Sequence, residues 1–186
     1  VTLHFLDHHV SLTNPKEISK ALQQINIAFK VNSKNITETY LNGLNAEKEI
    51  RNMRISEFVS QVSAIREVRV AMVEQQRKLG KDKGVVMDGR DIGTVVFPGA
   101  ELKLFMTADV LVRAFRRQRE LLGRDQLVDL DEVIDNIIHR DKIDTTRKES
   151  PLCQAQDAIV IDTTHITIDE QVDEVLRLAL SKVLQP

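Results

Sequence analysis

Three groups of charged residues in this chain have the types and spacing that phosphate and hydroxyl chemistry needs. The first is Asp88-Gly89-Arg90-Asp91, two carboxylates and a guanidinium inside the run VVMDGRDIGTVVF, Val85 to Phe97. The second is Arg113, Arg116, Arg117 and Arg119, with Glu120 the one acid close by. On a helix the first three of these fall within roughly 100 degrees of arc. Guanidinium forks match phosphate oxygens bidentately and keep their charge. A solvated basic face is the equal alternative. The third is HRDKIDTTRK, His139 to Lys148, where Arg140, Asp144 and Arg147 stand i, i+4, i+7 on one helical face. An Arg-Asp pair at that spacing is also an ordinary helix ion pair, worth a few tenths of a kcal/mol.

Two other chemistries are excluded. The His139-Arg140-Asp141 triplet superficially matches a protein-kinase catalytic loop, but the position requiring Asn is Thr146 and no Asp-Phe-Gly follows. His4, His8 and His9 give one i, i+4 pair without a His-Glu-x-x-His motif or a cysteine partner, so no metal site is expected. Taken together, several guanidiniums and a few carboxylates suit a ligand that combines phosphate with a sugar.

The bulk composition frames this. At 186 residues, 42% hydrophobic and 29% charged, the chain has room for one ample core or a core plus a small lobe. A net charge of −2 makes any anion site a local patch. No apolar run is long enough to span a bilayer. One cysteine, Cys153, excludes an intrachain disulfide and fits a reducing cytoplasm; it is expected as a small buried hydrophobe. The chain begins at Val1 within an apolar segment, which reads as a cut end of a helix running to Val10.

The elements that must position the charges follow from periodicity. Asn14-Pro15-Lys16-Glu17 is a helix start, with Ile18, Ala21, Leu22 and Ile25 on one face. Ile27 to Val31 and Ile36 to Leu41 alternate apolar and polar around Asn32-Ser33-Lys34-Asn35 and predict an antiparallel hairpin. Glu47 to Leu79 is helical in composition, broken into two helices. Val85–Asp88, Glu101 to Thr107 and Ala158 to Asp162 read as buried parallel strands, with helices between them and a last helix over Asp169 to Leu184. Ligands of open parallel sheets bind beyond the carboxyl ends of the strands, and the Asp-Gly-Arg-Asp group stands at such an end.

Four segments, SQVSAIREVRVAMVEQQR, VVMDGRDIGTVVFP, RDKIDTTRKESPL and DAIVIDTTHITIDEQV, resemble in order and spacing the bacterial cytidylate kinases, nucleoside-monophosphate kinases of the P-loop class. The resemblance covers essentially the whole chain. It implies a three-layer α/β fold with a parallel sheet, a small antiparallel β insert for the monophosphate and a helical lid. Residues 1–26 and 80–186 would form the core, with the lid near residues 113–125, and residues 27–79 the insert.

The same resemblance assigns the charges. Ser60, Arg69 and Asp91 would read cytosine, Arg90 would bind the acceptor phosphate, and Arg140 and Asp144 would hold the pentose, with Arg147 close to sugar and phosphates. Arg113, Arg116 and Arg117 would close over the ATP phosphates. Arg90, Arg113, Arg117 and Arg140 would form the catalytic group. Implied partners are CMP or dCMP and ATP with Mg2+, without nucleic acid or membrane, in a cytoplasmic monomer.

One departure is large. The chain contains no G-x-x-x-x-G-K-[ST]; Gly80-Lys81 is followed by Asp82. It also lacks the family's Asp-x-Gly-Ala-x-Tyr-Arg segment, and the expected Mg2+ ligands lie largely in these absent stretches. The expectation is therefore a cytidylate kinase without its N-terminal phosphate-loop strands. It would hold Val85–Asp88 apart from Leu102–Met106 and Ile159–Asp162, and alone would be neither stable nor active. A non-catalytic nucleotide-binding or interaction fragment is the competing expectation. RNA binding through the arginine helix is disfavoured by one Tyr, six Phe, no Trp and the negative net charge.

Overall fold

The computed structural model describes residues 1–184; positions 185 and 186, the end of the expected core domain, lie outside the described residues. In chain order the helices are α1 (Thr2–Asp7), α2 (Pro15–Gln23), α3 (Met53–Ser63), α4 (Arg66–Leu79), α5 (Val110–Leu122), α6 (Leu130–Thr146) and α7 (Ile168–Val183). The strands are β1 (Ile27–Val31), β2 (Thr37–Leu41), β3 (Leu44–Asn45), β4 (Leu104–Thr107) and β5 (Ile159–Asp162). They are distributed over two compact units, Val1–Gln75 with His139–Glu149, and Gln76–Ile138 with the segment from Ser150 onward. Residues 1–26, expected with the kinase core, belong to the first of these.

In the first unit, the Asn14 side chain accepts from the backbone N–H of Lys16 (3.1 Å) and of Glu17 (3.5 Å), and Pro15 opens α2. That cap presents Ile18 and Ala21 to a core built with Phe5, Val62 and Val68. His4, on α1, is buried, and burial pushes its imidazole below the usual range. The hairpin forms as the alternation requires: β1 pairs antiparallel with β2, Ile27 opposite Leu41 and Val31 opposite Thr37. Its turn is closed by the Asn32 side chain, which accepts from Lys34 and Ile36 N–H, with Asn35 at φ 59°. Gly43 takes φ 85°, a conformation only glycine adopts readily, and lets a short third strand, β3, fold back on β2. The Asn52 side chain accepts from Ile55 N–H at 3.0 Å and starts α3.

In the second unit, β4 and β5 pair in parallel, Leu104 opposite Ile159 through Thr107 opposite Asp162. β4 begins at Leu104 rather than Glu101. Val85–Asp88 corrects the expectation of a buried strand. It forms no ladder, and Val86 is fully exposed at 101%. A strand exists through its neighbour's hydrogen bonds, and no described residue pairs with this run.

The apolar residues after it coil instead into a π-helical turn, Ile92–Val96, with Val96 N–H donating to Asp91 O and Phe97 N–H to Ile92 O. Arg77, in the last turn of α4, fastens this turn by donating to the carbonyls of Val96 (3.1 Å) and Val95 (2.7 Å). The Phe97 ring closes over Gly80, where an added Cβ would lie 2.4 Å from Cζ. Gly80→Ala is therefore expected to displace that ring and cost about 1–3 kcal/mol. Urea denaturation would measure it, and an unchanged midpoint would contradict the contact. Cys153 is a second correction: it lies exposed in the irregular segment after α6, outside any packed face.

Candidate active site

Within the first unit, two helical faces of identical spacing meet. Arg140, Asp144 and Arg147 occupy i, i+4, i+7 at the C-terminal end of α6 and just beyond it. Ser56, Ser60 and Ser63 repeat that spacing on α3. Arg140 Nη1 donates to Ser56 Oγ at 2.9 Å, and Arg147 Nη1 donates to Ser63 Oγ at 3.0 Å. Both pairs are 84 residues apart, so the two faces run in the same direction and in one register. That register sets Ser60 at the level of Asp144.

The face is dry. Ser56, Ser60 and Asp144 are 5%, 2% and 3% exposed, and Arg147 is 8% exposed. Arg147 Nη1 and Asp144 Oδ1 are 3.5 Å apart, an ion pair removed from water. A buried pair of this kind is strongly destabilised when one member is removed, because the other charge is left without compensation. Ser60 Oγ is buried and finds no hydrogen-bond partner among the described residues. A buried hydroxyl left in that state costs free energy in the protein itself. Arg69, in the first turn of α4, is half-buried in the same unit.

Within the second unit, Asp91 is 3% exposed and opens the π turn, its carbonyl accepting from Val95 and Val96 N–H. Arg90, beside it, is exposed. Helix α5 starts at Asp109, whose carboxylate accepts from Leu111 N–H at 2.8 Å. The α5 arginines then divide. Arg116 donates to Thr163 Oγ1 at 3.1 Å and to the carbonyls of Thr163 and Ile166, holding the connection from β5 to α7. Arg117 pairs with Glu120 at 2.8 Å, and Glu120 also meets Arg124 at 3.1 Å. Arg113 stands one turn before Arg117, half-buried. Among the described residues no three Asp, Glu, His or Cys side chains gather as a metal cage.

The family resemblance assigned Arg140, Asp144 and Arg147, whose spacing alone also fits an ordinary ion pair, and Ser56 and Ser63 opposite them were not singled out. The signal was present in the matching i, i+4, i+7 spacing of α3. Serines in a helix read as filler until the arginines that need them are found opposite.

A parallel β4–β5 pair, a small antiparallel sheet and arginine-rich helical faces fit the α/β class of P-loop kinases. The family model described as cytidylate kinase matches residues 1–181. A cytidylate kinase of Cytophaga hutchinsonii is 59% identical over 186 residues, all of this chain and 80% of that protein. One from Flavobacterium psychrophilum is 52% identical over 168 residues, 90% of this chain and 74% of its own. One from Bacteroides fragilis is 46% identical over 175 residues, 92% and 76% respectively. The chain belongs to the cytidylate kinase family, a family of enzymes.

Proposed function

We propose that the chain serves transfer of the ATP γ-phosphoryl group to CMP or dCMP, giving the diphosphate, in a cytoplasmic monomer. The observation that carries this reading is the buried serine face of α3 set in register against Arg140, Asp144 and Arg147. It offers charge for a phosphate, a carboxylate for sugar hydroxyls and one unsatisfied hydroxyl, Ser60 Oγ. Arg140 and Asp144 hold the pentose, the carboxylate accepting from its hydroxyls, while Arg147 neutralises charge near sugar and phosphate. Ser60 and Arg69 donate to the ring nitrogen and carbonyl of cytosine, and Asp91 accepts from its exocyclic amine. Arg90 binds the acceptor phosphate.

Phosphoryl transfer leaves the protein little covalent chemistry and much positioning and charge stabilisation. Arg113 and Arg117 act on the transferring phosphate, and Arg116 donates to the carbonyls of Thr163 and Ile166. ATP arrives with its Mg2+ as substrate. A Gly-rich phosphate loop is not among these 186 residues, so they account for acceptor recognition and the lid. A coupled assay of ADP release tests the reading on the enzyme that carries these residues. Turnover is expected with CMP and dCMP. Absence of turnover with either, alongside turnover with another monophosphate, would overturn it.

A further inference from the structure

We propose that Ser56 and Ser63 are positioning residues that aim the guanidiniums of Arg140 and Arg147 at the bound monophosphate. The inference rests on the CMP reading above and adds what fixes its two arginines. An arginine side chain has many rotamers, and ordering one only on binding weakens the affinity that results. A hydrogen bond from one nitrogen of the fork sets the plane of the whole group in advance, which reduces the cost left for binding.

Here the same nitrogen, Nη1, is used twice. Arg140 meets Ser56 at 2.9 Å and Arg147 meets Ser63 at 3.0 Å, at the same 84-residue offset. One serine contact is an ordinary interhelical hydrogen bond. Two in the same register, with the unsatisfied hydroxyl of Ser60 between them, form a frame. Ser56 is 5% exposed, so water is poorly placed to substitute for its hydroxyl.

The test is steady-state kinetics on Ser56→Ala, Ser63→Ala, Ser63→Thr, Arg140→Ala and the double variant Ser56→Ala/Arg140→Ala. Each serine-to-alanine change should raise KM for CMP about tenfold, the effect of one hydrogen bond to a charged group. KM for ATP should stay unchanged, which a general loss of structure would not allow. Ser63→Thr keeps the hydroxyl and should keep the wild-type KM. Adding Ser56→Ala to Arg140→Ala should raise KM no further, because the serine acts through that arginine. Additive losses, or a wild-type KM for CMP in both alanine variants, would overturn the positioning role. An unchanged KM for CMP in Arg140→Ala would instead overturn the CMP-site assignment itself, and the positioning role with it.

Discussion

Asp91→Asn is expected to erase the preference for CMP over UMP. Cytosine presents an amine at the position where uracil presents a carbonyl oxygen. A carboxylate accepts from the amine and repels the carbonyl. An amide rotated to donate would face a second donor in CMP and find an acceptor in UMP. Sites built around such hydrogen bonds discriminate by roughly 10^4 when the bonds are left unmade. The magnitude is large because Asp91 is only 3% exposed, so water does little to soften a mismatch. The substitution is isosteric, and the backbone carbonyl that receives Val95 and Val96 is untouched. The expected result is a fall in kcat/KM for CMP of about two to four orders of magnitude with a rise for UMP. Equal kcat/KM values for wild type and variant, with both nucleotides, would contradict the assignment of Asp91 to the base.

Arg117→Ala is expected to lower kcat about 10^2- to 10^3-fold while leaving KM for CMP close to wild type. Removing one preorganised donor from developing charge typically costs this much. The contact of Arg117 with Glu120 is an i, i+3 pair at 2.8 Å between partly exposed groups, worth only tenths of a kcal/mol in water. Polyphosphate, with more charge and more acceptor oxygens, competes with Glu120 for the guanidinium. Arg116 differs, since its three acceptors tie it to the β5–α7 connection. A wild-type kcat for Arg117→Ala would return this helix face to an ordinary solvated one.

Much of the local structure was legible because it depends on short-range rules. Asn14 and Pro15 announce α2, the alternation from Ile27 to Leu41 announces the hairpin, and the amphipathic run from Asp169 to Leu184 announces α7. The face of Arg140, Asp144 and Arg147 was legible for the same reason. What escaped depends on distant partners. Val85–Asp88 has strand composition, yet a strand needs a neighbour, and composition cannot supply one. The run Ile92–Val96 is rich in β-branched residues, but Arg77 and the carbonyl of Asp91 hold it as a π turn. Ser56 and Ser63 gain meaning only from residues 84 positions away. Cys153, small and weakly polar, carries no local sign of whether it is covered, and it lies exposed.

The central claim is the proposed one, that the serine face of α3 and the charged face of α6 hold the monophosphate. Amide hydrogen exchange with and without saturating CMP tests it most directly, because protection reports local stabilisation by a bound ligand. The account predicts added protection at residues 56–63 and 140–147 and in the turn from Asp88 to Val96. Protection that leaves both of the first two segments unchanged would contradict it.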